Sequence, residues 1–277
     1  MNMNDLWIAL RSALKAGQAI LSIYQQRDFG VEIKADSSPL TLADRASHKI
    51  IMEFLDRTGL PVLSEEGREI PWDERRHWEH FWLVDPLDGT KEFINRNGEF
   101  TVNIALIHHQ VPVAGIILAP VQDLVYLGMA GKGSFRIDHA SIDPAWLDTG
   151  TLPAHAGSLP LKQSRQIFTA VASRSHTNPK TQSFLESLEK EYGQVDVKSV
   201  GSSLKFCLIA EGSADVYPRF GPTCEWDTAA GQAIVEAAGG RVIVAASGDR
   251  LCYNKENLVN PEFVANSYKT QASSLKL

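Results

Sequence analysis

The chain has 277 residues, 44% of them hydrophobic, 22% charged and 8% aromatic, and a formal net charge of −6. That length supports a large core in one big domain or two smaller ones, and the composition excludes a disordered or fibrous chain. The acidic balance argues against a nucleic-acid polymer as partner, because gripping a phosphate backbone calls for a basic surface.

The three cysteines, Cys207, Cys224 and Cys252, contain no C-x-x-C pair. A disulfide framework or a structural zinc site is therefore not expected, and a reducing compartment fits. The first residues lack a basic region followed by an apolar one with a cleavage site. The longest apolar run, 111–121, is cut by Pro112 and Pro120 and is too short to span a bilayer. These features predict a cytoplasmic protein without a transmembrane segment.

Residues 5–25 place Leu10, Leu14, Gly17, Leu21 and Tyr24 at helical steps, which predicts an amphipathic helix. A second helix is predicted over 42–57, through Ala46, Ile50 and Phe54, with Thr41 as its N-cap. The period then changes. Short apolar runs at 61–63 and 81–84 each lead directly into acids, and 101–108 and 111–119 predict two strands joined at His109-Gln110. Residues 124–129 and 135–137, separated by Gly131-Lys132-Gly133, extend the meander. The region 138–165 is rich in Asp, Gly, Pro, Ser and Ala and reads as a loop and domain junction. The rest alternates: strand 167–172, a helix with Pro179 in its first turn, strand 195–200, helix 203–210, strand 215–217, helix 227–238 and strand 241–245. An α+β half (1–145) with an antiparallel sheet thus precedes an α/β half (146–277).

The chemistry concentrates in acidic segments. Asp85-Pro86-Leu87-Asp88-Gly89-Thr90 follows an apolar strand. Carboxylates there are costly unless something pairs with them. Pro86 and Gly89 permit a tight bend that lets Asp85 and Asp88 converge, and a cation between them relieves their repulsion. Hard oxygen ligands of this kind suit Mg²⁺. Ser64-Glu65-Glu66 also follows an apolar run, and Cys224-Glu225-Trp226-Asp227 opens a helix. Three acidic strand or helix ends can meet at one crevice. Gly89-Thr90 also begins a short helix, whose free N–H groups suit a phosphate. Bland alternatives stand beside this reading: Asp-Pro and Asp-Gly are common turn dipeptides, Asp227 is a candidate helix cap, and Thr41-x-x-Asp44 has capping-box spacing.

Asp85-Pro86-Leu87-Asp88-Gly89-Thr90 and Trp226-Asp227-Thr228-Ala229-Ala230-Gly231 resemble the two signatures of the inositol monophosphatase superfamily of magnesium-dependent, lithium-sensitive phosphatases, and Ser64-Glu65-Glu66 resembles its third acidic element. The match runs in register over nearly the whole chain. The resemblance implies a layered αβαβα sandwich of the inositol monophosphatase and sugar phosphatase type. It implies one Mg²⁺ held by Glu65, Asp85 and the Leu87 carbonyl, a second held by Asp85, Asp88 and Asp227, and a third, weaker ion near Glu65. Thr90 would orient the attacking water and Asp44 would accept its proton.

Within the superfamily, Lys34-Ala35-Asp36-Ser37-Ser38-Pro39, the segment 82–93 and Gly201-Ser202-Ser203-Leu204-Lys205-Phe206 most resemble the bacterial 3′(2′),5′-bisphosphate nucleotidase branch. That branch removes the 3′-phosphate of 3′-phosphoadenosine 5′-phosphate (PAP), a by-product of sulfate assimilation, giving AMP. The sulfated precursor PAPS is an alternative substrate. Some members sit peripherally at the cytoplasmic face of the inner membrane.

The resemblance implies a small-molecule nucleotide partner met by Glu65, Leu87, Asp88, Gly89, Thr90, His176, Ser202, Lys205, Arg219 and Asp227, and assigns no oligomeric state. Inositol monophosphatases tend to carry an acid where Arg219 stands. An arginine's planar fork suits a second phosphate, although Arg219 and Lys205 also read as plain surface charges. Inositol monophosphatase or fructose-1,6-bisphosphatase activity, and a non-catalytic nucleotide-sensing module, are the rival readings. His77-Trp78-Glu79-His80 lacks the H-E-x-x-H zinc spacing, and with His108-His109 it is expected to be surface or turn sequence.

Overall fold

The computed structural model describes residues 3–34, 39–139, 142, 147, 156–162, 166–173 and 178–270. Helix α1 (Met3–Tyr24) buries Leu10, Leu14 and Gly17 of the predicted stripe together with Leu6 and Ala13, leaves Leu21 and Tyr24 half-buried, and lies beside α2 (Leu42–Leu55). Between them, β1 (Glu32–Ile33) and β2 (Pro39–Leu40) form a small antiparallel pair. Together α1 and α2 cover one face of a seven-stranded sheet.

That sheet has the order β3 (Val62–Ser64), β4 (His80–Asp88), β5 (Thr101–His108), β6 (Val111–Ala119), β7 (Leu124–Met129), β8 (Gly133–Asp138) and β9 (Gly157–Leu159). β3 runs parallel to β4 and every other pair is antiparallel. Short helices α3 (Trp72–Arg75) and α4 (Thr90–Ile94) flank β4. The strands read as unbroken apolar runs because both faces of the sheet are covered.

The second sheet has five strands in the order β11 (Val195–Val200), β10 (Phe168–Ser173), β12 (Val216–Arg219), β14 (Phe263–Asn266) and β13 (Arg241–Val244). Its β10, β11 and β12 are parallel, as α/β alternation predicts, whereas β14 inserts antiparallel between β12 and β13. The sequence reading missed β14, a four-residue strand with three apolar residues behind a long irregular segment. Helix α5 (Pro179–Tyr192) covers the outer face of this sheet.

Helices α6 (Leu204–Glu211) and α7 (Glu225–Ala237) fill the space between the two sheets, so the layers run α, β, α, β, α. The middle layer is tight. A Cβ at Gly115 would lie 2.4 Å from the Ala230 carbonyl oxygen, and one at Gly128 would lie 2.5 Å from Ile234 Cα, so these strand glycines let α7 sit directly on the backbone. Strand β9 follows residue 145 and yet completes the first sheet, and α7 packs on that sheet too. No helix among the described residues is long and apolar enough to cross a membrane, and the three cysteines are free thiols.

Candidate active site

The site lies where four chain segments end in one place. β3 delivers Glu65 just past its C-terminus, where the Glu65 N–H donates to the Val84 carbonyl at 3.1 Å. β4 delivers Asp85, Leu87 and Asp88, with a register irregularity against β5 between Asp85 and Asp88. That bulge lets Asp85 Oδ1 accept the Leu87 N–H at 3.0 Å, while the Pro86 carbonyl accepts from Ser47 Oγ at 2.6 Å. Gly89 then turns the chain at φ 92°, and a Cβ there would press on the Glu99 carbonyl oxygen at 3.2 Å, which is why glycine stands at this corner. Thr90 opens α4, as expected. Finally, α7 contributes Asp227 from its first turn.

These side chains converge. Glu65, Asp88, Thr90, Ser202, Lys205, Arg219 and Asp227 line one cleft of about 210 Å³, with Leu87 and Asp85 buried behind its wall. Burial raises the Asp85 carboxyl pKa well above its ordinary range, and the charges of Glu65, Asp88, Asp227 and Asp44 raise it further. Burial likewise raises those of Asp88, Glu65 and Asp44. Asp227 is pushed up to about 8 by burial and by Asp88 and Glu65. So many acids in one low-dielectric space are stable as anions only with cations among them. The donors are hard oxygens with no sulfur or imidazole, which fits Mg²⁺ better than zinc.

The two capping alternatives prove compatible with a site. Asp44 is residue N3 of α2: its Oδ2 accepts from Thr41 N at 2.8 Å and from Thr41 Oγ1 at 2.5 Å. Its other oxygen, Oδ1, accepts from Thr90 Oγ1 at 3.2 Å. The capping box thus aims the second oxygen of Asp44 at Thr90. Asp227 is not the N-cap of α7 as one reading had it. Cys224 holds that position, Asp227 is N3, and its Oδ2 accepts from Cys224 N at 2.8 Å.

Lys205 lines the same cleft and is buried, which lowers its pKa to about 8 against the attraction of Asp88. Its ammonium donates to the Ser202 carbonyl at 2.5 Å and the Val200 carbonyl at 3.3 Å. Arg219 ends β12 and is 9% exposed; one terminal nitrogen donates to the Pro222 carbonyl at 2.9 Å. Arg219 Nε and Ser202 Oγ are buried polar atoms with no partner among the described residues. Two orphan donors on residues that line one cleft call for a polar ligand. His176 lies outside the described residues.

The sequence reading passed over Asn103, and it named Lys34 only as part of a resemblance segment, without its contact. Asn103 Nδ2 donates to Asp88 Oδ2 at 3.3 Å, and Asn103 Oδ1 accepts from Ser203 Oγ at 2.7 Å, so Asn103 orients the carboxylate. The available signal was a polar residue inside an apolar strand. Lys34 pairs with Glu65 at 2.9 Å and with Glu66, an ion pair between segments 31 residues apart that no spacing announces.

The raised carboxyl pKa values have a thermodynamic consequence. A group whose pKa is higher in the folded than in the unfolded chain stabilises the fold below its unfolded value, about 4, and loses that stabilisation as pH rises through the folded value, about 8 for Asp227. The metal-free chain is therefore expected to melt several degrees lower at about pH 8.5 than at about pH 6, and Mg²⁺ is expected to raise the melting temperature more at the higher pH. Equal Mg²⁺ shifts at both pH values would contradict the clustering of these acids.

Known proteins agree with this architecture. The sequence profile of the Inositol monophosphatase family matches residues 3–275. The chain is 45% identical over 262 residues to the 3′(2′),5′-bisphosphate nucleotidase CysQ of Shigella flexneri, covering 92% of this chain and 97% of that protein. It is 39% identical over 276 residues to the protein of that name from Buchnera aphidicola, covering 96% of each. The crystal structure of CysQ from Bacteroides thetaiotaomicron, a bacterial member of the inositol monophosphatase family, superposes with a TM-score of 0.85 at 47% identity, covering 95% of this chain and 97% of that one. The chain belongs to the inositol monophosphatase family.

Proposed function

We propose that this chain is a Mg²⁺-dependent 3′(2′),5′-bisphosphate nucleotidase that hydrolyses the 3′-phosphate of PAP, giving AMP and inorganic phosphate in the cytoplasm. Curated relatives of that name at up to 45% identity support the reaction, and Mg²⁺ dependence is general to the family. The observation that carries the reading to this chain's own residues is the composition of one cleft. Glu65, Asp88 and Asp227 line it with Asp85 buried close by, and the buried Lys205 lines it together with Ser202 and Arg219, whose Oγ and Nε have no partner among the described residues.

We assign Glu65, Asp85 and the Leu87 carbonyl to one Mg²⁺, and Asp85, Asp88 and Asp227 to a second, with a weaker third near Glu65. When bound, these ions supply the positive charge that admits an anionic ester and stabilise the charge on the attacking and leaving oxygens. The residues do the rest. Thr90 Oγ1 donates to Asp44, so its lone pairs are free to accept a proton from a water placed in line with the phosphorus. That proton passes to Thr90 while the Thr90 proton moves to Asp44, whose raised pKa suits it to accept. The water oxygen bonds to phosphorus, the P–O3′ bond breaks, and the leaving ribose oxygen takes a proton from solvent. Lys205, Ser202 and Arg219 bind the nucleotide and its 5′-phosphate, and the Gly89 backbone lines the cleft that receives the 3′-phosphate.

A substrate panel read by phosphate release, with and without Mg²⁺, tests this reading. PAP is expected to turn over fastest, and only with Mg²⁺. Faster hydrolysis of inositol 1-phosphate or fructose 1,6-bisphosphate would transfer the assignment to that substrate. PAP binding without release in Mg²⁺ would make the chain a nucleotide-sensing module.

A further inference from the structure

Histidines set aside as turn sequence come together at the far end of the seven-stranded sheet. His80 opens β4, five residues before Asp85, which is about 16 Å along an extended strand. Its register partner on β5 is His108. His109 and Gln110 form the two-residue turn into β6, with φ of 46° and 66°, so the turn swings the His109 ring back over the strand end. The His109 N–H donates to the Glu79 carbonyl at 3.0 Å, which fixes the turn against the start of β4.

The side chains surround one oxygen. Glu79 Oε1 lies 3.4 Å from His109 Nε2, 3.5 Å from His108 Nε2 and 3.8 Å from His80 Nδ1. The donor atoms of Glu79, His108 and His109 all lie within 4.8 Å of one another. In a tetrahedral site with bonds of about 2.0–2.1 Å, donors stand about 3.3–3.4 Å apart. Two of the three edges are therefore already close to metal-site length, and closing the third takes only a rotation of the exposed His109 ring toward the half-buried His108. The His80 ring stacks on His108 at 4.1 Å and 11°, which restrains the His108 ring.

We propose that Glu79, His108 and His109 form a binding site for a divalent transition-metal ion of the zinc class, with water as fourth ligand and His80 as a positioning residue. Imidazole nitrogens favour Zn²⁺, Co²⁺, Ni²⁺ or Cu²⁺ over Mg²⁺, so this site and the all-oxygen cleft select different ions. The two stand at opposite ends of β4. The competing account is a set of solvent-accessible histidine–carboxylate contacts, which contribute little to stability.

Co²⁺ titration of the full chain in millimolar Mg²⁺, which keeps the carboxylate cleft occupied, decides between them. One equivalent is expected to give the visible absorption of a four-coordinate imidazole-bound ion, bleached by one equivalent of Zn²⁺. His109→Asn, a residue that tolerates the left-handed turn, is expected to lose the band and at least about tenfold in affinity. Its Mg²⁺-dependent phosphate release should be unchanged. His108→Gln should behave alike, and Asp85→Asn should keep the band. A band that survives in both histidine variants, a band lost in Asp85→Asn, or no Co²⁺ binding at millimolar concentration would overturn the site. None of these readouts depends on which phosphate ester the cleft hydrolyses.

Discussion

Asp88→Asn is expected to leave a folded chain whose phosphate release from PAP falls at least about a thousandfold, the result of losing about 4 kcal/mol of metal-borne transition-state stabilisation. The fold should survive for a local reason. Asn103 Nδ2 donates to Asp88 Oδ2 at 3.3 Å, and an asparagine oxygen can accept the same bond. The substitution also relieves like-charge repulsion, since Asp88 raises the pKa of both Asp85 and Asp227. It removes the partner that favours a charged Lys205, which opposes that gain. The melting temperature without Mg²⁺ should therefore stay near that of the unaltered chain, while the increment produced by Mg²⁺ shrinks. Wild-type-like turnover would remove Asp88 from the proposed metal set. A large loss of melting temperature without metal would assign it a structural role instead.

Arg219→Ala is expected to separate bisphosphate from monophosphate substrates. Arg219 is 9% exposed, and its Nε has no partner among the described residues. A hydrogen bond to a charged group is worth about 1.5–3 kcal/mol, so kcat/KM for PAP should fall about ten- to a hundredfold. Hydrolysis of 3′-AMP, which lacks the 5′-phosphate, should change less than about threefold on the same reasoning. Arg219→Lys should recover only part of the loss, because an ammonium keeps the charge and loses the planar fork. Equal losses on both substrates would mean that Arg219 supports the Pro222 loop, to which it already donates at 2.9 Å, rather than the second phosphate.

Much of this molecule could be read before its structure. The helical stripe of α1, the Thr41 cap, the β5–β6 hairpin at His109-Gln110 and the strand-to-bend geometry of 85–90 all rest on interactions between residues a few positions apart. Spacing encodes such interactions. The antiparallel β14 was not legible, because its pairing with β12 and β13 is chosen by the packing of the whole sheet. The double duty of Asp44 was legible only through the family resemblance: capping spacing announces one oxygen, while the other meets a threonine 46 residues away.

Sequence alone determined which acids stand at element ends, where the glycine corner falls, and that these segments carry the signature of a metal-dependent phosphatase family. Tertiary structure decided which of them face one another, and which cations and amides stand among them: Lys34 against Glu65, Asn103 against Asp88, Lys205 buried within the field of Asp88, and three histidines around Glu79. The physical reason is that the local pattern is written by backbone geometry over a few residues. The electrostatics of a cleft depend instead on distances between atoms that the chain brings together only when both sheets and their helices have packed.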